Sequence, residues 1–148
     1  MPTGDPSAAI RRFLLAVIVL GLCGTGVELV LLEHYEDSWQ LVPLFFIVLA
    51  LGTIVSHLAA GGPGGIGLLR LAMAMLVVVG AIGVAIHYNG SLEFQLEMDP
   101  SQSGWPLFMK VLHAKAPPTL APGVIAQLGL LGLIYTYRHP ALGRSSAP

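Results

Sequence analysis

Residues Phe13 to Leu32 read FLLAVIVLGLCGTGVELVLL, a run of twenty residues in which only Glu28 carries a formal charge. An α-helix rises about 1.5 Å per residue, so this run would extend about 30 Å as a helix. That length matches the hydrocarbon core of a lipid bilayer. The pattern therefore predicts a membrane-spanning helix over residues 12–32.

Three further apolar runs follow and predict helices over residues 41–60, 66–87 and 120–137. Each run is long enough to cross most or all of the hydrocarbon core. We therefore expect an all-α membrane protein that forms a four-helix transmembrane bundle. Residues 10–138 would make up this single domain, and the lipid bilayer is its first expected partner.

The composition agrees with this fold class and excludes several functions. The chain is 55% hydrophobic and 10% charged, whereas about 25% of the residues in soluble domains are charged. The net charge of −1 provides no basic field for a nucleic acid, so no nucleic-acid partner is expected. Cys23 is the single cysteine, which excludes an intrachain disulfide. Residues 1–9 and 139–148 lack periodicity and are predicted to be disordered tails.

The basic residues are unevenly divided between the two sides of a four-span arrangement. One side carries Arg11, Arg12, Arg70, Arg138 and Arg144, and the other carries Lys110 and Lys115. Because basic flanks mark the cytoplasmic side of a membrane, both termini are expected in the cytoplasm. The sequence thus predicts a multi-pass protein of the inner or plasma membrane.

The predicted outer loop, residues 88–119, is long and contains two periodicities. Apolar and polar residues alternate over residues 92–98, which predicts an extended segment. Residues 106–115 instead show a helical period and predict a short amphipathic helix on the membrane surface or against the bundle. Its apolar face would consist of Leu107, Phe108, Val111 and Leu112.

Glycine pairs precede the two polar residues that lie near the outer ends of the first and third helices. Glu28 follows Gly21 and Gly24 at the spacing with which His87 follows Gly80 and Gly83, and Gly129 and Gly132 form a weaker pair in the last helix. Small residues allow helices to approach closely, so all six glycines are predicted to pack helices together. We hypothesise that Glu28 and His87 face each other and form the polar centre of an outer-facing site. Helix packing alone would explain the same glycine pattern.

Other polar residues on the outer side could extend this site. The predicted binding residues are Glu28, Glu33, His34, His87, Glu93 and Gln127. Their nitrogen and oxygen atoms are ligands for a divalent metal, although no compact metal-binding motif fixes them. Hydrogen-bonded structural roles are the alternative for the histidines. No other cofactor is predicted.

Three function classes follow from these patterns. A non-enzymatic accessory or assembly subunit of a larger membrane complex explains the small size, the glycine pairs and the surface helix, and its partner would be another membrane protein or a second copy. The alternative is a protein that binds or transports a cation or small solute through the Glu28 and His87 site. Glu28 resembles the glutamate in the first of four helices of the small multidrug resistance transporters, but it lies near the end of its helix. A membrane enzyme is the third class, and no catalytic motif supports it.

Overall fold

The computed structural model describes residues 6–114 and 118–143. These residues form helices and no β-strand. The elements are α1 (Pro6–Leu31), α2 (Leu41–Ala60), α3 (Pro63–Met98), α4 (Gly104–Leu112), α5 (Gly123–Thr136) and a 3-10 turn (Pro140–Leu142). By length and composition, α1, α2 and α3 can each cross a membrane. The chain is therefore an all-helical membrane protein with three long apolar helices.

Backbone geometry explains where two of the long helices end. Gly61 adopts the left-handed conformation with φ 63°, and its N–H donates to the carbonyl oxygen of His57 to close α2. Pro63 then begins α3, where its missing N–H costs no helical hydrogen bond. At the end of α1, Glu33 has φ 54°. The N–H groups of Glu33 and His34 donate back to Val30 and Leu29, which is the Schellman arrangement.

The bundle places the first and third helices at opposite corners. Helix α3 packs along α2 and α5, and α1 also packs along α2 and α5. Within the described ranges, α1 and α3 have no extensive contact with each other. The core between the four helices includes Ile18 and Leu22 of α1, Ile47 and Ile54 of α2, Leu69, Met73 and Leu76 of α3, and Ile125 and Leu128 of α5.

Helix α3 is longer than the sequence predicts, and the extended segment predicted over 92–98 is wrong because these residues are helical. Leu92 and Leu96 are half-buried on one side, whereas Phe94 and Met98 are exposed on another. The alternating pattern led to a wrong prediction because the apolar side chains of Phe94 and Met98 remain exposed on the helix, whereas the prediction placed them in an extended segment. The helix ends before Asp99, whose carboxylate accepts hydrogen bonds from Ser101 N (3.1 Å) and Oγ (2.6 Å) in a turn.

The short helix predicted over 106–115 lies at Gly104–Leu112, and it packs against the last turns of α3. Leu107 and Val111 are buried, and the buried hydroxyl of Thr119 donates to the carbonyl oxygen of Val111 (2.8 Å). The apolar face of α4 therefore covers α3. Residue 115, the predicted end of this helix, lies outside the described residues.

The termini and the last helix also differ from prediction. Helix α1 already begins at Pro6, and Pro140–Leu142 form a turn in which Ala141 is buried. The rest of the predicted tails, 1–5 and 144–148, lies outside the described residues. Helix α5 has 14 residues, which corresponds to about 21 Å and is shorter than a bilayer core.

Candidate functional site

Two of the predicted outer-side residues come together. The rings of His34 and His87 lie 6.4 Å apart between centroids. The Nδ1 of His87 donates to the carbonyl oxygen of Pro118 (3.0 Å), so His87 also joins α3 to the segment before α5. Burial lowers the pKa of His34, and a positive charge on His87 would lower it further. This histidine pair connects the α1–α2 loop to α3.

Glu28 does not join this pair. Its side chain is exposed and makes no hydrogen bond or ion pair with any residue in the described ranges. His87 faces His34, and α1 and α3 occupy opposite corners of the bundle. The described residues therefore contain no Glu28–His87 pair. Glu28 lies three residues before the end of α1, about 5 Å along the helix axis.

The other predicted binding residues remain apart. Glu33, Glu93 and Gln127 are exposed, and their side chains make no hydrogen bond within residues 6–114 and 118–143. Glu33 instead has a backbone role in ending α1. Across the same ranges, no three histidine, cysteine, aspartate or glutamate side chains are grouped so that they could hold a metal ion. The divalent metal considered above therefore stays a prediction from the sequence.

Four of the predicted packing glycines lie between α3 and α5. A Cβ on Gly129 would come within 2.6 Å of the carbonyl oxygen of Met73. One on Gly80 would meet the backbone of Ala126, one on Gly83 would meet Pro122, and one on Gly132 would meet the Met73 side chain. Since rising numbers on α3 meet falling numbers on α5, the two helices run antiparallel. Their backbones approach closely because these positions lack side chains.

The two glycines of α1 behave differently from each other. A Cβ on Gly21 would come within 2.5 Å of the Leu128 side chain of α5. A Cβ on Gly24 would meet no described atom within 4 Å. Among the described helices, therefore, Gly24 packs against none, which differs from the prediction for that residue.

Gly24 belongs to an exposed row that we call the α1 seam. It consists of Ile10, Phe13, Val17, Leu20, Gly24, Val27 and Leu31. The spacing alternates between three and four residues, which is the heptad spacing of helices that pack at a shallow angle. The six larger side chains are between 54% and 77% exposed. Glu28 is adjacent to this seam, so the exposed face of α1 combines an apolar row, a gap at Gly24 and one carboxylate.

A second polar cluster lies at the end of the bundle that carries Arg11, Arg12, Arg70 and Arg138. We call this region the arginine end. The Nε2 of buried His57 and the hydroxyl of Tyr135 are 3.2 Å apart and share a hydrogen bond. The ring of His139 lies 5.1 Å from that of His57 and 5.3 Å from that of Tyr135. The Nδ1 of His57 is buried and has no hydrogen-bond partner among the described residues. Burial lowers the pKa of His139, as would positive charges on His57 and Arg11.

Two arginines at this end hold the C-terminus of α5. Arg11 of α1 donates to the carbonyl oxygen of Tyr135 (2.7 Å), and Arg70 of α3 donates to that of Thr136 (2.8 Å). The last carbonyl groups of a helix lack helical partners and carry partial negative charge, so cations stabilise them. In the sequence, these arginines indicated only the topology of the chain. The four-span arrangement already placed both arginines on the same side as the end of the last predicted helix, and this was the signal from which the capping contacts could have been predicted.

Comparisons with protein-family models, curated proteins and solved structures found no match to this chain.

Proposed function

We propose that the chain is a non-enzymatic accessory or assembly subunit of a larger membrane complex, and that it contacts its partner through the α1 seam. The observation that carries this proposal is Glu28. It is an exposed carboxylate, without a partner in the described residues, on a helix long enough to cross a membrane. Acidic residues in such helices are costly to leave facing lipid and are usually paired or face a cavity.

The surroundings of Glu28 favour a partner helix. Gly24 lies one turn earlier and leaves a gap where a second backbone could approach. A hydrogen-bond donor or cation on that helix would compensate the carboxylate at close range. Because Glu28 is near the end of α1, the donor would lie close to the membrane interface. Gln, Asn, Lys or Arg would meet this chemical requirement.

We further propose that α5 is the fourth span and that the arginine end faces the cytoplasm. In support, α5 runs antiparallel to α3 from the level of Gly83 to that of Met73, inside the apolar part of α3. Its 14 residues are extended by the apolar Leu120 and Ala121 before its start. Basic residues are retained on the cytoplasmic side of membranes, which gives the orientation.

Photo-cross-linking in native membranes tests the partner proposal. A photoreactive amino acid is placed at Val27 in the α1 seam or at Val55 on α2, which are 59% and 65% exposed. We expect Val27 to give one discrete cross-linked product with a different membrane protein, whereas Val55 gives none. Equal products from both positions would contradict the proposal, and a product with a second copy of this chain would replace it by a homo-oligomer.

Two matched glycine substitutions test whether the seam makes the contact. Gly24→Leu fills the gap in the seam, and Gly52→Leu makes the same change on α2, where a Cβ would also meet no described atom within 4 Å. Neither change should harm the isolated bundle. Gly24→Leu should abolish the Val27 cross-link and co-purification of the cross-linked protein in mild detergent, whereas Gly52→Leu should preserve both. The reverse pattern would place the contact on α2.

A further inference from the structure

A cavity of about 260 Å³, lined more by apolar than by polar surface, lies at the arginine end. Its polar lining is formed by Ser7, Arg11 and Arg12 of α1, Tyr135 of α5 and His139, and Leu15 and Leu58 are among its apolar walls. The cavity thus lies among the ends of several helices, at one end of the apolar stretch of α1, where the headgroups of a surrounding membrane would be expected. Basic pockets in this position are suited to anionic lipid headgroups.

Among the residues that the structure describes, the charges around this cavity are positive and lack carboxylate counterions. Within residues 6–114 and 118–143, all aspartates and glutamates lie in the distal turns of α1 and α3 or in the segments that follow these helices. They are Glu28, Glu33, Glu36, Asp37, Glu93, Glu97 and Asp99. Arg11 is engaged with backbone carbonyl groups of Tyr135, Tyr137 and Arg138. Arg12 makes no hydrogen bond or ion pair with a described residue. Its guanidinium is therefore available to an anion, and it can bind two phosphate oxygens at once.

His139 adds a polar group without adding much charge at neutral pH. Its Nδ1 accepts a hydrogen bond from the backbone N–H of Ala141 (3.2 Å), an arrangement that requires an unprotonated Nδ1. The positive charge of the cavity therefore comes from the two arginines.

A shallow, open groove of about 470 Å³ with a mostly apolar surface continues from this cavity along the exposed face of α1, and all of its lining residues belong to α1. Arg12 and Leu15 line both spaces, and Ala16, Val19, Leu20 and Cys23 complete the groove. From Arg12 to Cys23 the groove follows α1 for about 16 Å toward the middle of the helix. A positive cavity that opens into an apolar groove at a shared arginine has the two chemical regions of a phospholipid.

We propose that these joined spaces bind one anionic phospholipid. Its phosphate pairs with Arg12 at the cavity mouth, its polar head lies toward Tyr135 and His139, and one acyl chain occupies the groove from Leu15 to Cys23. A free phosphate would satisfy the arginines but leave the groove unused. This site does not depend on the partner proposal, because the groove lies mainly on a different flank of α1 from the seam and shares only Leu20 with it.

Native mass spectrometry of the purified full chain tests the site. The protein is delipidated in mild detergent and titrated with phosphatidylglycerol or with phosphatidylcholine of identical acyl chains, and separately with inorganic phosphate. We expect one phosphatidylglycerol to bind at concentrations at which phosphatidylcholine binds about fivefold less, which corresponds to one favourable basic contact at a membrane surface. Binding should weaken as salt rises.

Matched variants assign the binding to the two spaces. Arg12→Gln should reduce phosphatidylglycerol binding about fivefold, whereas Arg138→Gln removes an equal charge from the same end, outside the cavity lining, and should change binding little. Ala16→Trp fills the groove and should also reduce binding, whereas Val17→Trp adds the same bulk outside the groove lining. All four substituted positions, Arg12, Ala16, Val17 and Arg138, are exposed, so the fold should persist.

Three results would overturn the proposal. Equal binding of phosphatidylglycerol and phosphatidylcholine would show that the cavity does not distinguish lipids by the charge of their headgroups. Equal losses in Arg12→Gln and Arg138→Gln would show a diffuse electrostatic effect rather than a site. Competition by inorganic phosphate at the same concentration, with no effect of Ala16→Trp, would show that the cavity binds a free anion.

Discussion

The guanidinium of Arg11 lies 2.7 Å from the carbonyl oxygen of Tyr135, so the beginning of the first long helix caps the end of the last one. The same guanidinium also donates to the carbonyl groups of Tyr137 and Arg138. One side chain thereby satisfies several acceptors that a helix terminus leaves unpaired. Arg70 repeats this role from α3. The arginine end is therefore a charged surface that also ties α1 and α3 to the C-terminus of α5.

Removing this cap should destabilise the bundle. Arg11→Gln is expected to lower the free energy of unfolding by about 1–2 kcal/mol, because charged hydrogen bonds to partly buried carbonyl groups are lost. Thermal unfolding in detergent, followed by circular dichroism, measures the change. Arg12→Gln is the control, since Arg12 has no hydrogen bond with a described residue. Equal melting temperatures for the two variants would contradict the capping role.

The left-handed backbone at Glu33 predicts a stabilising substitution. With φ 54°, Glu33 has the conformation that glycine adopts with the least steric cost. Glu33→Gly should raise the free energy of unfolding by about 1 kcal/mol. Glu33→Ala removes the same carboxylate but keeps the Cβ, so it should produce no comparable gain. If both variants behaved alike, the charge rather than the backbone would be responsible.

The close contact between α3 and α5 predicts opposite results from the same change at two glycines. Gly129→Ala should cost about 1–3 kcal/mol, because the added Cβ would meet Met73 and Val77 and force the helices apart. Gly24→Ala should be neutral or stabilising by up to about 1 kcal/mol, since alanine is the better helix former and the site is open. Similar losses at both positions in unfolding measurements would contradict the packing described here.

Stability at the arginine end should depend on pH. His139 faces His57, Tyr135 and Arg11, and its folded-state pKa is lowered mainly by burial and then by the charges of His57 and Arg11. The unfolded chain therefore takes up the proton first as pH falls. Stability should be full above about pH 6.5 and decline below it.

Melting temperatures between pH 7.5 and 5 would measure this decline. His139→Gln should flatten the pH dependence, although it also removes the hydrogen bond from Ala141 and so lowers the melting temperature at every pH. His113→Gln is the control because His113 is an exposed histidine at the opposite end. An unchanged slope in His139→Gln would contradict this source of pH dependence.

The proposed orientation can be tested by cysteine labelling. In a Cys23→Ser background, Ser101→Cys should react with an impermeant thiol reagent on intact cells, whereas Gly143→Cys should react only after the cells are opened. Both positions are exposed in the described structure. The opposite labelling pattern would reverse the orientation, and labelling of both positions on intact cells would contradict an even number of spans.

The sequence was sufficient for the long apolar helices because length and hydrophobicity are properties of local segments. The predicted ends of α1 and α2 lie within one residue of Leu31 and Ala60. It failed over residues 92–98, where an alternating pattern lies on a helix. There Leu92 and Leu96 are half-buried while Phe94 is exposed, a difference that depends on which elements pack against α3, α4 among them.

Site residues were harder to predict because they depend on which helices are neighbours. Equal depth in the membrane suggested that Glu28 and His87 would meet, but depth says nothing about position around the bundle. The pairing of His34 with His87 depends on the turn that follows α1, and the contact of His57 with Tyr135 depends on how α2 lies beside α5. Neither arrangement has a local signature in the sequence.

The unbroken course of α3 has a mechanical consequence. Its last eleven residues, from Tyr88 to Met98, extend the apolar part of the helix by about 16 Å. Since no break separates these turns from the rest of α3, a tilt of the helix within the bundle would move them as a rigid extension. Tilting it by about 10° would swing its far end, and α4 with it, sideways by about 3 Å. A small adjustment among the helices would thus be transmitted as a larger displacement of the α3–α4 tip.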